Sequence, residues 1–460
     1  MKLHLYLFTV ISLLSLTLNA QGLFNSVCQG KIERVDSLLQ TKSINSLDSR
    51  GRGLLRWAIG CNQPKIFDYL MEKGIDPTIT DMRNETAMHG AIRNDNFDAF
   101  KKLVQHQPDS TWISSHGTSL LQMAVLTKKV DWVQQLATLG IDVNKKNQRG
   151  STPIEIAKRI NAEEVYTQLV ALGADTTQIR TFALKGEYMG QTPPGRTPAL
   201  FAPNVISTEE SEFGSVFNAD GTEFFLGVDV NGRNEIRYSK LVDGTWTPPV
   251  VVLAHEKYGY NDPFLSPDEQ RLYCISGQPL SGEGEEKDID IWYVQKERDG
   301  WSEPINAGPN INTDRNEYYI SFTNKGKMYF SSNGNAPEDR KYSDYDIYTS
   351  EFVNGEFQKA VKLGPAVNTE NYEADVCVAP DESYMVFCSR REGSFGQGDL
   401  YISFKNEAGD WTEAVNLGGA INTKNYEYCP FITKDGKYLF YTSNQDIYWV
   451  STEGFEALRK

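Results

Sequence analysis

The stretch Ile421 to Tyr448 reads I-N-T-K-N-Y-E-Y, an apolar run, K-D-G-K-Y-L-F-Y-T-S and then D-I-Y. Close copies occur twice upstream and weaker ones twice more. A recurring unit of this kind decides architecture before any single residue does, because each copy must solve the same packing problem as its neighbours. Five turn pairs anchor the copies: Asp220-Gly221, Asp268-Glu269, Lys325-Gly326, Asp381-Glu382 and Asp435-Gly436, separated by 48, 57, 56 and 54 residues. Each turn lies between two apolar runs, as in a hairpin. An acid-led strand follows: Glu235-Ile236, Asp290-Ile291-Trp292, Asp346-Ile347-Tyr348, Asp399-Leu400-Tyr401 and Asp446-Ile447-Tyr448. A further turn with an aromatic comes next, at Trp246, Trp301, Phe357 and Trp411, with Gly454-Phe455 in the last copy. Four strands per unit, repeated about every 55 residues, predict the blades of a propeller, whose radial closure protects the sheet edges.

Ser266-Pro267-Asp268 and Ala379-Pro380-Asp381, each ahead of an acid-led aromatic strand, resemble the WD-repeat-like β-propeller of the TolB type over 208–460. Five copies predict five blades. A sixth would follow if Pro198 to Ser207 helps to close the ring, since Phe201 to Ser207 faintly echoes Leu417 to Thr423.

A different period governs residues 21–178. Ala58, Ala91, Ala124 and Ala157 fall 33 residues apart, as do Leu70, Leu103, Leu136 and Leu169. Glu85-Thr86-Ala87-Met88-His89-Gly90-Ala91 and Ser151-Thr152-Pro153-Ile154-Glu155-Ile156-Ala157 are degenerate forms of T-P-L-H-x-A, and Gly74, Gly140 and Gly173 close the second helices. This region resembles the ankyrin repeat family, with about five copies. The resemblance implies a helical solenoid with a protein-binding concave surface; a plain spacer is the competing reading. His89 at the motif position is expected to bond locally. Residues 179–207, rich in proline and glycine, read as a linker. The expected fold is therefore multidomain, α plus all-β: an ankyrin solenoid followed by a β-propeller of four-stranded blades.

Residues 1–20 begin with Lys2, run apolar from Leu5 to Leu18 and end at Ala20, the pattern of a secretory signal peptide. No cysteine directly follows the expected cleavage point, which argues against a lipoprotein anchor. No later stretch is long and apolar enough to span a bilayer. A soluble periplasmic or secreted protein is expected. The net charge of −15 argues against nucleic acid or an anionic membrane as partner. Of six cysteines, Cys28 with Cys61, and Cys377 with Cys388, are candidate disulfides, with buried free thiols as the alternative for each pair. No C-x-x-C spacing suggests a zinc or redox site.

The I-N-T-x-x-x-E segments are candidates for loops at the channel mouth. Glu212, Glu317, Glu373 and Glu427 each lie eight residues before a turn anchor; the second copy has Tyr260 there, with Asp262 two residues later. Together Glu212, Asp262, Glu317, Glu373 and Glu427 would ring the mouth and bind a cation or a basic group. Alternatively each caps its own loop by accepting backbone N–H bonds, which repetition in nearly every blade favours. The acids that lead the third strands read as structural. His255 is the only histidine after residue 116, so a His-based triad or multi-His metal site in the propeller is disfavoured. No G-x-S-x-G elbow, sialidase Asp-box or EF-hand spacing occurs. No catalytic residue, metal ligand or cofactor is assigned. The expected function is a non-catalytic exported scaffold: the helical repeats bind a protein, and the propeller binds a protein, peptide or glycan. The alternative is a carbohydrate-active enzyme using paired carboxylates at the channel mouth. A cell-envelope assembly factor is a third reading, by analogy to TolB alone.

Overall fold

The structure, a computed structural model, describes residues 22–459 except 49–50, 82–83, 107–113, 115–116, 181–183, 231, 299, 335 and 337–343. The expected signal segment lies outside the described residues. The chain divides into two compact units, Met1–Thr181 and Phe182–Lys460.

The first unit contains helices α1 (Ile32–Leu39), α2 (Leu54–Gly60), α3 (Pro64–Glu72), α4 (Ala87–Arg93), α5 (Phe97–His106), α6 (Leu120–Leu126), α7 (Val130–Thr138), α8 (Pro153–Arg159) and α9 (Glu163–Ala171). They pack as antiparallel pairs, α2 on α3 through α8 on α9, while α2, α4, α6 and α8 contact one another in succession. The 33-residue period explains the packing. Ala58, Ala91, Ala124 and Ala157 are small enough for neighbouring helices to approach closely, and Leu70, Leu103, Leu136 and Leu169 fill the second layer; all eight are buried. The same period places N-caps. Thr86, Ser119 and Thr152 form capping boxes with His89, Gln122 and Glu155, satisfying helix-start N–H groups. His89 Nδ1 accepts the Thr86 N–H at 3.1 Å. Cys28 and Cys61 form a disulfide, with 5.1 Å between their Cα atoms.

The second unit is a five-bladed β-propeller. Blade 1 comprises Ser211–Phe217, Glu223–Val230, Arg233–Val242 and Val250–Leu253; blade 2, Asn261–Leu265, Arg271–Ser276, Asp290–Glu297 and Ile305–Asn306. Blade 3 comprises Glu317–Phe322, Met328–Ser332, Asp346–Ser350 and Val361–Lys362; blade 4, Glu373–Val378, Tyr384–Ser389, Asp399–Phe404 and Val415–Asn416. The first strands of successive blades contact each other around a closed ring, so they line the axis.

Blade 5 is composite. Glu427–Ile432, Tyr438–Ser443 and Asp446–Ser451 supply three strands, and Ala199–Leu200 supplies the outermost, pairing Ala199 with Trp449 and Leu200 with Tyr448. The segment expected as a linker thus contributes its end to the ring, and it completes the fifth blade instead of making a sixth. Its anchor is Phe201, fully buried, whose ring meets Phe217 and Phe224 of blade 1 and Phe440 and Trp449 of blade 5. Phe201 N–H donates to Ile447 O at 2.8 Å, and Ser207 Oγ bonds both backbone groups of Ile447 at 3.2 Å.

Candidate functional site

The glutamates of the I-N-T-x-x-x-E segments turn inward onto their own loops. The Glu317 carboxylate accepts from Thr313 N and Oγ1, both at 2.8 Å, and from Ser332 Oγ at 2.8 Å. Glu373 repeats this with Thr369 and Ser389, and Glu427 with Thr423 and Ser443. Glu212 accepts from Thr208 N and Oγ1. All four are buried. The preceding asparagine bonds the neighbouring blade: Asn312 holds both backbone groups of Ile291, Asn368 those of Ile347 and Asn422 those of Leu400. Each segment is therefore a clasp between the third strand of one blade and the first strand of the next. Burial pushes the Glu317 carboxyl up to about 7, and raises Glu212, with Asp446 adding to the rise. These four acids offer no exposed ring of charge.

Asp262 belongs to a different set. Each innermost strand carries a bulge whose residue has positive φ: Gly214 (49°), Asp262 (49°), Tyr319 (50°), Asp375 (52°) and Cys429 (50°). The ladder register slips at each site. Such a bulge re-aims its residue, here once per blade. The five have no common side-chain chemistry, so only their spacing, six residues before each turn anchor, marks them in the sequence. Asp262 Oδ1 accepts from the Cys429 thiol at 3.6 Å, a contact between blades 2 and 5. Tyr319 O–H donates to Pro430 O at 2.8 Å, and the Cys429 N–H bonds the Asp375 carboxyl. The four other bulges carry side chains at the same φ, but at Gly214 a Cβ would lie 3.0 Å from Asp262 Oδ1, so glycine leaves room for the Asp262 carboxyl.

These side chains fill the axis. Asp262 and Asp375 are only 5% and 3% exposed. Burial pushes the Asp262 carboxyl up to about 7 and Asp375 well above the usual carboxylate range, with Asp262 adding to the latter rise. Burial likewise raises the Cys429 thiol. The two carboxyls are thus enclosed and shifted by burial toward their neutral forms, unlike the solvent-facing pair a glycosidase presents to its sugar.

Above them lies a tyrosine-lined mouth that the sequence reading missed. The hydroxyls of Tyr318 and Tyr372 are 2.5 Å apart, and those of Tyr372 and Tyr426 3.0 Å apart. Tyr345 packs edge-on to Tyr318 and Tyr372, and Tyr428 stacks on Tyr426 at 4.8 Å. The exposed Arg390 guanidinium lies 4.5 Å from the Tyr372 ring centre and 5.3 Å from that of Tyr426. The available signal was the flank of each clasp glutamate: tyrosine precedes Glu373 and Glu427 and follows Glu317 and Glu427.

The other candidate disulfide is absent. Cys377 and Cys388 are free and buried; the bulged register pairs them with Val386 and Ala374, and the Cys377 thiol Sγ accepts the Ile432 N–H from blade 5 at 3.3 Å. Among the described residues, no three His, Cys, Asp or Glu side chains are grouped to hold a metal ion, and no helix is long and apolar enough to cross a membrane.

Fold and site together define a five-bladed propeller with a closed axis and an aromatic mouth, preceded by paired helices. No protein-family model matches the chain. It is similar, at 22% identity over 154 residues, to transient receptor potential cation channel subfamily A member 1 of Homo sapiens, covering 33% of this chain and 14% of that protein. It is 28% identical over 154 residues to putative palmitoyltransferase ZDHHC13 of Danio rerio, covering 33% of this chain and 24% of that one. Protein PhlB of Serratia liquefaciens is 23% identical over 141 residues, 30% of this chain and 62% of PhlB. The chain spans less than two thirds of each of these relatives.

Proposed function

We propose that this chain is an exported, non-catalytic binding scaffold. In this reading the helical pairs are an ankyrin-type stack that holds a protein partner, and the propeller is of the TolB type and binds a glycan or peptide at its mouth. The observation that carries it is the mouth itself: tyrosine rings and hydroxyls with one exposed arginine, set over an axis that is filled instead of hollow. Aromatic rings with a polar edge supply contact area at low entropic cost, which suits recognition. The enclosure of Asp262 and Asp375 away from solvent supports binding over turnover. The 33-residue period and its recurring capping boxes support the ankyrin assignment, and residues 1–20 support export.

The test is a screen of the purified full chain against glycan and peptide arrays, with hydrolysis followed in parallel. Saturable binding abolished by Tyr372→Ala, without product formation, is expected. Turnover of a bound glycan, or no array binding at all, would overturn the reading.

A further inference from the structure

The mouth has one feature that narrows its ligand. Arg390 is exposed, and among the described residues no carboxylate forms an ion pair with it, although Arg391 beside it bonds Glu373 at 3.4 Å and Val367 O. Its guanidinium is held by the Tyr372 and Tyr426 rings in a cation–π arrangement and by a hydrogen bond to the Tyr426 hydroxyl, which leaves its remaining N–H groups for a ligand. Asp375 is the buried acid that feels its charge. Burial raises that carboxyl and favours its neutral form, and no ion pair joins it to the guanidinium.

Beside this fork runs the hydroxyl chain Tyr318–Tyr372–Tyr426. Three phenols linked by two hydrogen bonds, with Tyr426 also bonded to Arg390 and Cys388, retain acceptor lone pairs for a ligand rich in hydroxyls. A peptide adding as a strand needs free backbone N–H groups, and on the inner strands of blades 1, 4 and 5 several are spent. Gly214 N–H donates to Thr442 Oγ1, Asp375 N–H to Ser331 Oγ, Val378 N–H to Ser321 Oγ and Ile432 N–H to Cys377 Sγ. Strand addition at those positions is therefore disfavoured for a peptide.

We propose that Arg390, with Tyr318, Tyr372 and Tyr426, forms a binding site for a carboxylate-bearing saccharide, a uronic acid unit. Its carboxylate takes the guanidinium fork, its hydroxyls meet the phenols, and its ring face lies on an aromatic. This rests on the propeller being a ligand-binding module and deepens that reading.

The experiment is calorimetric titration of the full chain with trigalacturonate and with its methyl ester, using wild type, Arg390→Gln and Arg390→Lys. Because Arg390 is exposed, both variants should fold, which thermal unfolding checks. The free acid should bind wild type at least roughly tenfold more tightly than the ester, as expected for a hydrogen bond to a charged group. Arg390→Gln should lose about that factor for the acid and nothing for the ester, and Arg390→Lys should recover only part, lacking the planar fork. Equal binding of acid and ester, or unchanged acid binding by Arg390→Gln, overturns the inference. A neutral glycan or a peptide with a free C-terminus binding where trigalacturonate does not also overturns it, while leaving the module a binder. Failure of all of these ligands sinks both readings.

Discussion

Asp262 gives a prediction whose size follows from its surroundings. In the fold its carboxyl is raised from 3.8 to about 7 by burial on the axis. The folded state therefore keeps a proton that the unfolded chain has already released. Stability from this group is complete below about pH 4 and is lost as pH rises through about 7. A shift of about three units at about 1.4 kcal/mol each makes the loss roughly 4 kcal/mol. Asp262→Asn is nearly isosteric, keeps an oxygen to accept from Cys429, and has no proton to lose. It should match wild type at pH 4 and exceed it by up to roughly 4 kcal/mol at pH 8. Glu317 titrates in the same direction and cancels in the difference between variant and wild type, whereas Asp375, whose rise Asp262 reinforces, is relieved by the substitution and forms part of the measured effect. The assay is urea unfolding at several pH values, read by hydrogen exchange of propeller peptides so that the helical unit does not blur the transition. Parallel pH profiles for the two proteins would refute an enclosed, protonated Asp262, as would a variant that is less stable at pH 8.

Two further perturbations test other parts of the molecule. Phe201→Ala should cost the propeller about 3–5 kcal/mol, because the ring fills space shared by blades 1 and 5, whereas Phe201→Leu should cost less than about 1.5 kcal/mol; urea midpoints compare the two. Cys28→Ser, or reduction of the wild type, should destabilise the helical unit by roughly 4 kcal/mol, since the disulfide closes a 33-residue loop; equal thermal midpoints with and without reductant would contradict this.

The blades were legible because each copy repeats a turn, an acid-led strand and an aromatic, and these recur for reasons of backbone geometry. The clasps were legible for the same reason: Glu317, Glu373 and Glu427 share threonine and serine partners at fixed spacing. Ala199–Leu200 was not, because two paired residues carry no period of their own; only the echo at Phe201 hinted at it. The axis was least legible. Gly214, Asp262, Tyr319, Asp375 and Cys429 are five positions of four residue types whose equivalence lies in a bulged backbone. Grouping Asp262 with the glutamates followed from its acidity, whereas its position two residues on sends it to the axis.

The composite fifth blade also orders events in the life of the chain. Ser207 and Ile447 are 240 residues apart, yet they bond directly. During synthesis, Ala199–Leu200 emerges well before its partner strand exists, so blades 1 to 4 are made while the ring is still open. Closure waits for the last strand, and the entropy of that long loop is met only then. Once closed, the ring has no free outer strand in its last blade from which fraying could start. Trimming the segment at 199 and trimming the strand at 449 remove two halves of one seam, and either cut opens the same circle.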